Sequence, residues 1–505
     1  MKVDPSLAFL CSAYLRGVFA SIGPVADLPI VNKILSPDGF QRSTVLAGGT
    51  FPGPNIKGHN GDTFRINVID LLADTSMDVA TSVHWHGIDQ HKCNAYDGAA
   101  FSFEYTFGVH DQAGTFWYHS HFSNQYCGGL RGPLIVYDLN DPFAHLYDVD
   151  DDTTVIMLAD WYHYLSHDAP AVPAFNSTLI KGLGQYAGGP PSALSIVNVE
   201  QGKRYCFRLV SISCYPNFTF TIDNHQMTII EVDGSNVQPL LVDQIRIFAA
   251  QRYSVIVTAN RPVGNYWIRS LPNVPGASTD DGINAAILRY KGASTVDPST
   301  IQTGGSLPLV ESNRLIRSLP EASALKLLIL QPGEQIPGGA DININLTVLL
   351  NAARTQFLVN NVTFQPPTAL LPSDLLHKGS IYGLQPNKSV EIVIPGGVLG
   401  CPHPLHLHGH SFHVVLVAGK SSYNFDDPGL RDTVNTGAAG EVTIRFSTDN
   451  PGPWFIHRHI DLHLSAAFAA VMAEDVGEVP GVGWTSGKTH AWGQLWPAYN
   501  QFVGR

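Results

Sequence analysis

The amino-acid sequence predicts an all-β protein built from three similar units. Charged residues form only 14% of the 505 positions, whereas glycine and proline are frequent, with 47 and 34 copies. Short segments rich in Val, Ile, Thr, Phe and Tyr recur between these turn-forming residues, and helical periodicity is scarce. At about 150 residues per domain, the length indicates roughly three domains.

A diverged internal repeat supports the division into three units. A strand-like segment recurs as GDTFRINVID from Gly61, GKRYCFRLVS from Gly202 and NKSVEIVIP from Asn387. Each unit then ends in a strand that joins glycine to aromatic residues, namely GTFWYHSH from Gly114, GNYWIRS from Gly264 and GPWFIHRH from Gly452. We therefore place the units at residues 21–141, 142–305 and 306–505.

Residues 1–20 are predicted to be a signal peptide, because Lys2 precedes an apolar run that ends in small residues near Ala20. Sequons of the form N-x-S/T, which suit a secreted glycoprotein, occur at Asn176, Asn217, Asn345, Asn361 and Asn387. No later apolar run reaches the ~18 residues of a membrane-spanning helix. We therefore expect a secreted, extracellular protein with no membrane partner.

The net charge of the chain restricts its partners. A charge of −12 and a pI near 5.9 exclude the basic surface that nucleic-acid-binding proteins present. A small molecule that is neutral, cationic or weakly acidic is the expected substrate.

Four segments carry the pattern His-x-His, in which two histidines flank one residue. They are His84-Trp85-His86, His119-Ser120-His121, His406-Leu407-His408 and His457-Arg458-His459. Residues two apart on a strand face the same side, so each segment can direct two imidazoles to one point. An isolated pair is more often structural, but four pairs confined to the first and third units predict a shared multinuclear site. Eight imidazoles without a carboxylate favour copper or zinc over magnesium or calcium.

A second, mononuclear site is expected on the opposite face of the same segments. His403 lies three residues before His406, and position 458 lies between the two histidines of the last pair, so both tend to face away from the first site. A thiolate at 458 with His403 and His463 would give the ligand set of a blue-copper site. The residue there is Arg458, whose guanidinium offers no lone pair to a metal.

Together these segments resemble the fungal laccases, which are multicopper oxidases. The resemblance rests on VHWHGI, DQAGTFWYHSHFSNQYCGGLRGP, HPLHLHGHSFHVV and FSTDNPGPWFIHRHIDLHL, and it extends from SIGPVADL at Ser21 to AEDV. It implies three consecutive cupredoxin-like Greek-key β-barrel domains. It also implies copper as the cofactor, O2 and phenols or aromatic amines as small-molecule partners, a monomeric state and roles such as lignin degradation.

The resemblance also assigns roles to individual residues. It implies a type 2 copper on His84 and His406, one type 3 copper on His86, His119 and His459, and the other on His121, His408 and His457. At the type 1 position it implies His403 and His463, with Phe468 as a non-coordinating neighbour. Asp97 and Asp461 become candidate catalytic residues that relay protons, although Asp97 also fits a simple turn.

Departures from the family pattern fall where electrons from the substrate are received. Arg458 stands where the family has cysteine, so a type 1 copper should not form normally and phenol oxidation should be impaired. Tyr215 stands where the family carries an acid that receives the phenolic proton. The segment YDGAAFSFEYTF is also shorter than its family counterpart.

The resemblance implies one disulfide, between Cys127 and Cys214. Cys93, Cys206 and Cys401 stay unassigned. Cys401 lies two residues before His403 and is the one candidate for a replacement thiolate, although a small buried thiol is the default.

Three interpretations stay open. The first is a laccase-type benzenediol:oxygen oxidoreductase with impaired activity. The second is a catalytically inactive relative that binds copper or a partner. The third is a sequence error or a damaged allele, because one base change converts a Cys codon into an Arg codon.

Overall fold

The computed structural model describes residues 21–98, 104–170, 173–279, 282–301, 335–353, 355–364, 379–397, 402–460 and 466–475. The predicted signal peptide at 1–20 lies outside these residues, as do Cys401, Asp461 and His463. Almost all regular structure in the described ranges is β-strand, which confirms the all-β prediction. Within those ranges, no helix has both the length and the apolar character needed to cross a bilayer.

The first unit is formed by two four-stranded sheets with strand orders β2-β1-β4-β6 and β3-β8-β7-β5. Its strands are β1 (Val25–Leu35), β2 (Arg42–Ala47), β3 (Ile56–His59), β4 (Thr63–Asp70), β5 (Val83–His86), β6 (Glu104–Gly108), β7 (Gly114–Ser120) and β8 (Arg131–Tyr137). Short helical turns interrupt the strands of the first two units at Asn94–Tyr96, Gln125–Gly128, Ala144–Leu146 and Ser166–Asp168.

The second unit has a six-stranded sheet facing a five-stranded one. Its strands are β9 (Val155–Trp161), β10 (Ser177–Ile180), β11 (Ile196–Val199), β12 (Arg204–Ser211), β13 (Phe218–Ile222), β14 (Met227–Val232), β15 (Ser235–Val242), β16 (Ile245–Ile247), β17 (Arg252–Thr258), β18 (Asn265–Pro272) and β19 (Ala285–Tyr290).

The third unit has two five-stranded sheets and one additional hairpin. Its strands are β20 (Ile342–Asn345), β21 (Val348–Leu350), β22 (Phe357–Val359), β23 (Ile381–Leu384), β24 (Ser389–Pro395), β25 (Pro404–Leu407), β26 (Phe412–Leu416), β27 (Gly429–Arg431), β28 (Thr433–Asn435), β29 (Glu441–Ser447), β30 (Gly452–Arg458) and β31 (Ala469–Glu474).

The three units share one pattern of strand pairing, which confirms the internal repeat. The recurring strand-like segment forms β4, β12 and β24, and each pairs in parallel with the first described strand of its unit. The glycine-aromatic strands β7, β18 and β30 each lie between two antiparallel neighbours. The predicted boundary at 141 falls between β8 and β9, and the one at 305 lies outside the described residues.

Each unit buries its own apolar core between its two sheets, because alternate residues of every strand point inward. A further apolar cluster fills the seam between the first two units and contains Trp117, Tyr126 and Trp161. The disulfide between Cys127 and Cys214 closes this seam, so the predicted bridge is confirmed. Cys206 is buried and Cys93 is half-buried.

We expect the double substitution Cys127→Ala/Cys214→Ala to lower the free energy of unfolding by about 4 kcal/mol, because the bridge closes a loop of 87 residues between two units. Urea unfolding followed by intrinsic fluorescence measures this loss. Cys206→Ala, which removes a buried thiol without opening a bridge, is the control and should lose much less. Equal urea midpoints for the double variant and the wild-type chain would contradict the expectation.

Candidate metal centre

Two pairs of adjacent strands place the eight clustered histidines face to face. In the first unit β5 pairs with β7 so that His84 lies opposite His119, and in the third unit β25 pairs with β30 so that His406 lies opposite His457. In each His-x-His segment the second histidine lies two positions further along the same chain segment. The two units meet with the His84 and His408 rings 4.0 Å apart and the His86 and His406 rings 3.8 Å apart.

The corresponding strands of the middle unit carry no histidine at this place. There β13 pairs with β18, and Arg269, which like His119 and His457 lies five residues after the first glycine of its strand segment, is opposite Thr221. The cluster therefore lies between the first and third units.

The structure brings the eight histidines together in three groups, two of which share His86, and each group has its ligand atoms within 4.8 Å of one another. The groups are His86-His119-His459, His121-His408-His457 and His84-His86-His406. The first two are the trios that the family resemblance implies for the two type 3 coppers, and the third contains the pair implied for type 2. Seven of the eight imidazoles are buried, and His121 is half-buried.

Hydrogen bonds to oxygen atoms hold the outer nitrogen of several rings. Backbone carbonyls accept from Nδ1 of His84 (2.7 Å, Asp97), His119 (2.8 Å, Ser120), His406 (2.8 Å, Asp432) and His457 (3.0 Å, Arg458). These contacts assign the proton to Nδ1, which leaves the Nε2 lone pair directed into the cluster. In the described residues, Nε2 of His84, His121 and His406 has no hydrogen-bond partner.

The inward nitrogens have the separation that a shared cation requires. His408 Nδ1 donates to Asp97 Oδ2 at 2.5 Å, so the Nε2 atoms of His408 and His457 present lone pairs to each other at 2.9 Å. His119 and His459 bring their Nε2 atoms to 3.3 Å. Two nitrogens that each bind one ion at about 2.0 Å lie roughly 3 Å apart, so the residues fit a metal.

Burial keeps these imidazoles neutral, which is the form that binds a metal. Desolvation, followed by repulsion from neighbouring imidazoles, holds the pKa well below the ordinary value for His86, His119, His121, His406, His408 and His459. Burial lowers the pKa of His457 to about 3.

Asp97 joins histidines of the two units and also ends a turn. Its backbone N–H caps the Asn94–Tyr96 turn, and the residue is 3% exposed. Its Oδ1 lies 3.2 Å from His84 Nδ1, while its Oδ2 accepts from His408. The next residue, Gly98, has φ of +83°, and a Cβ there would come within 2.1 Å of the Val83 carbonyl oxygen. This glycine therefore lets the turn lie against β5.

The described residues at the predicted type 1 position do not fit a copper ion. Arg458 is 1% exposed, and its guanidinium carbon lies 5.8 Å from the centre of the Phe357 ring. His403 is buried with its ring 6.3 Å from Phe468 in an edge-on arrangement. A buried guanidinium replaces the thiolate, and the second expected imidazole, His463, lies outside the described residues.

Several contacts of the cluster were missing from the sequence-based prediction. Asp432 and Thr433 contact His86 Nε2 at 3.3 and 3.2 Å, and Arg252 binds Asp432. Asp432 and Thr433 stand in no quoted motif; Arg252 lies in FAAQRYS, a segment that resembles the family, but nothing local to that segment indicated a role at the metal centre. His410, by contrast, is held by Glu474 at 3.0 Å; although burial opposes the charge, this carboxylate raises the pKa of His410 to about 9.

Comparisons with known proteins agree with this geometry. Profiles described as multicopper oxidase match residues 30–141, 152–293 and 342–478. The chain is 50% identical to Laccase-2 of Trametes villosa, with 97% of each chain covered, and 49% identical to Laccase-2 of Pleurotus ostreatus, with 96% and 94% covered. Among solved structures, the laccase of Botrytis aclada is similar with a TM-score of 0.74 at 27% identity, covering 97% of this chain and 94% of that one.

We expect Asp97→Ala to weaken copper retention by roughly ten- to a hundredfold, because His408 loses the acceptor that orients its ring. Dialysis against graded concentrations of a chelator, followed by metal analysis, measures the retention. Asp111→Ala, at an exposed aspartate, is the matched control. Retention equal to that of the control would show that Asp97 does not support the centre.

The metal-free protein should become less stable as the pH falls below about 6.5. Its buried imidazoles have lowered pKa values and stay neutral when folded, whereas the unfolded chain takes up protons near the ordinary pKa. Each such group then removes about 1.4 kcal/mol of unfolding free energy per pH unit. Urea midpoints at pH 7 and pH 5 measure the effect, and His408→Gln should show a shallower dependence. A midpoint that rises toward pH 5 would reverse the predicted sign.

Proposed function

This chain belongs to the multicopper oxidase family and, within it, to the fungal laccases, and on that premise we propose that it is a secreted copper oxidase with impaired phenol oxidation. The observation that carries the proposal is the set of eight imidazoles whose inward nitrogens converge between two units. Copper, when bound, supplies one-electron oxidation of phenols or aromatic amines coupled to four-electron reduction of O2 to water.

The residues of the chain then divide the remaining tasks. His84 and His406 would hold the type 2 ion, and the two histidine trios would hold the type 3 pair. Asp97 is the proposed proton relay, because its buried Oδ1 lies 3.2 Å from His84 Nδ1 but makes no hydrogen bond within the described part of the chain, since His84 Nδ1 donates to the Asp97 carbonyl. This Oδ1 is the atom at which a proton can be held beside His84.

Arg458 limits the supply of electrons to the centre. Where the family has a cysteine that binds copper and is covalently continuous with the neighbouring histidines, this chain has a buried guanidinium. Tyr215, half-buried beside the Cys127–Cys214 bridge, replaces the acid that would receive the phenolic proton. Phenols are therefore the proposed substrate class, but we expect slow turnover.

Secretion is part of the same proposal. It is supported by the apolar N-terminal segment, by the Cys127–Cys214 disulfide and by the position of the sequons. Four sequon asparagines are exposed and one, Asn217, is half-buried; the exposed ones are Asn176, Asn345, Asn361 and Asn387. A monomer that needs no partner beyond O2 and its reductant remains the prediction.

A non-catalytic role is the second candidate, and Arg458 is the observation that favours it. A chain that binds copper but receives no electrons would act as a copper-binding or partner-binding protein. Metal analysis and O2 uptake with a methoxyphenol distinguish the two functions. About three coppers per chain with slow O2 uptake would support the oxidase. The same copper content with no O2 uptake would support the non-catalytic role. A chain that binds no copper contradicts both.

We expect Arg458→Cys to create a blue absorption band and to raise O2 uptake with a methoxyphenol by at least tenfold, because a thiolate completes the type 1 ligand set. Arg458→Ser removes the guanidinium without adding a thiolate and is the control, for which no blue band is expected. Absence of colour in the cysteine variant, at full copper content in the cluster, would contradict our explanation of the impairment.

A further inference from the structure

The middle unit contributes no histidine to the cluster, yet one of its side chains reaches it. We propose that Arg252, at the start of β17, is a positioning residue for the metal centre. Its guanidinium fixes Asp432, and Asp432 orients His86 of the first unit and His406 of the third. This inference rests on the proposed copper-binding role of those two histidines.

Arg252 is 0% exposed and forms hydrogen bonds with residues of all three units. Its Nη1 and Nη2 donate to the two carboxylate oxygens of Asp432 at 2.7 and 2.6 Å. Its Nε donates to the Thr115 carbonyl at 2.9 Å, and its backbone N–H donates to Asp233 Oδ1 at 2.8 Å. A planar fork of this kind fixes both the position and the rotation of the carboxylate.

Asp432 passes this orientation to two imidazoles. Its Oδ1 lies 3.3 Å from His86 Nε2, and its backbone carbonyl accepts from His406 Nδ1 at 2.8 Å. Thr433 supports the arrangement, since its hydroxyl donates to Asp432 Oδ1 at 2.9 Å. Together these contacts leave His86 Nδ1 and His406 Nε2 directed at the His84-His86-His406 group, with the two rings stacked at an interplanar angle of 24°.

The backbone beside His86 leaves room for this ion pair. Gly87 has φ of +89°, and a Cβ at that position would lie 2.6 Å from Arg252 Nη2 and 2.7 Å from Asp432 Oδ2. Any other residue would therefore push the pair away from the ring that it orients. Gly87→Ala thus disturbs the same contact from the histidine side, without changing a charge.

Arg208 provides a matched control within the same unit. It is also buried and also bridges units, because it binds Asp150 and Glu231 of the second unit and donates to Thr115 Oγ1 of the first at 2.9 Å. Its hydrogen bonds within the described residues reach no histidine of the cluster. Loss of Arg208 therefore reports the structural cost of losing a buried arginine.

The test compares Arg252→Met, Arg252→Lys, Gly87→Ala and Arg208→Met with the wild-type chain. The melting temperature of each metal-free protein is measured on one sample. A second, folded sample is titrated with Cu(II) against a competing chelator. We expect all four substitutions to lower the melting temperature of the metal-free protein. We expect only the Arg252 and Gly87 variants to lose copper affinity, by roughly ten- to a hundredfold for one ion per chain, with Arg252→Lys losing less than Arg252→Met. The EPR spectrum of the bound Cu(II) should change in these variants and not in Arg208→Met.

The inference would be overturned if Arg252→Lys and Gly87→Ala had the same copper affinity and EPR spectrum as Arg208→Met. This outcome can be read even if Arg252→Met does not fold. A wild-type chain that binds no copper would instead refute the proposed function. The two failures are therefore distinguishable.

Discussion

Two imidazole lone pairs that face each other across 2.9 Å, on His408 and His457, set the constraint on which the rest of the centre depends. Each ring has already committed its Nδ1 proton to an oxygen, on Asp97 or on the Arg458 backbone. Turning a proton inward would break one of those bonds in a buried site. A bound cation removes this conflict, so the oxygens that accept the outer ring protons favour metal binding at the inner nitrogens.

The repeated β-unit explains how such a site arises from ordinary strand geometry. The same two-strand pairing occurs in all three units, but the residues at the facing positions differ. In the outer two units those positions hold His84, His119, His406 and His457, and in the middle unit they hold Thr221 and Arg269. The middle unit instead supplies Arg252, which reaches the seam from β17.

The sequence predicts this site as far as local rules extend. Alternation along a strand predicts that His84 and His86 share a face, because that depends only on residues two apart. Which histidines meet across units required the family resemblance, since His119 and His459 are separated by 340 residues. Asp432 and Arg252 were missed for the same physical reason: they are common charged residues, 180 positions apart, that only the folded chain brings into contact. The alternation of side chains along a strand predicted that Arg458 faces away from the cluster, and in the structure it packs against Phe357. Alternation does not predict how the charge of Arg458 is accommodated.

The division of the ligands between the first and last units also sets an order of assembly during synthesis. Domains emerge and fold from the N-terminus onward, so the first unit presents His84, His86, His119 and His121 long before their counterparts have been translated. Cys127 and Cys214 can join while the final unit is still absent, which anchors the first half of the site to the middle unit. The centre closes only once residue 459 has been added. A prematurely terminated chain can therefore contain two well-formed units and a disulfide and still present an open half-site of four histidines.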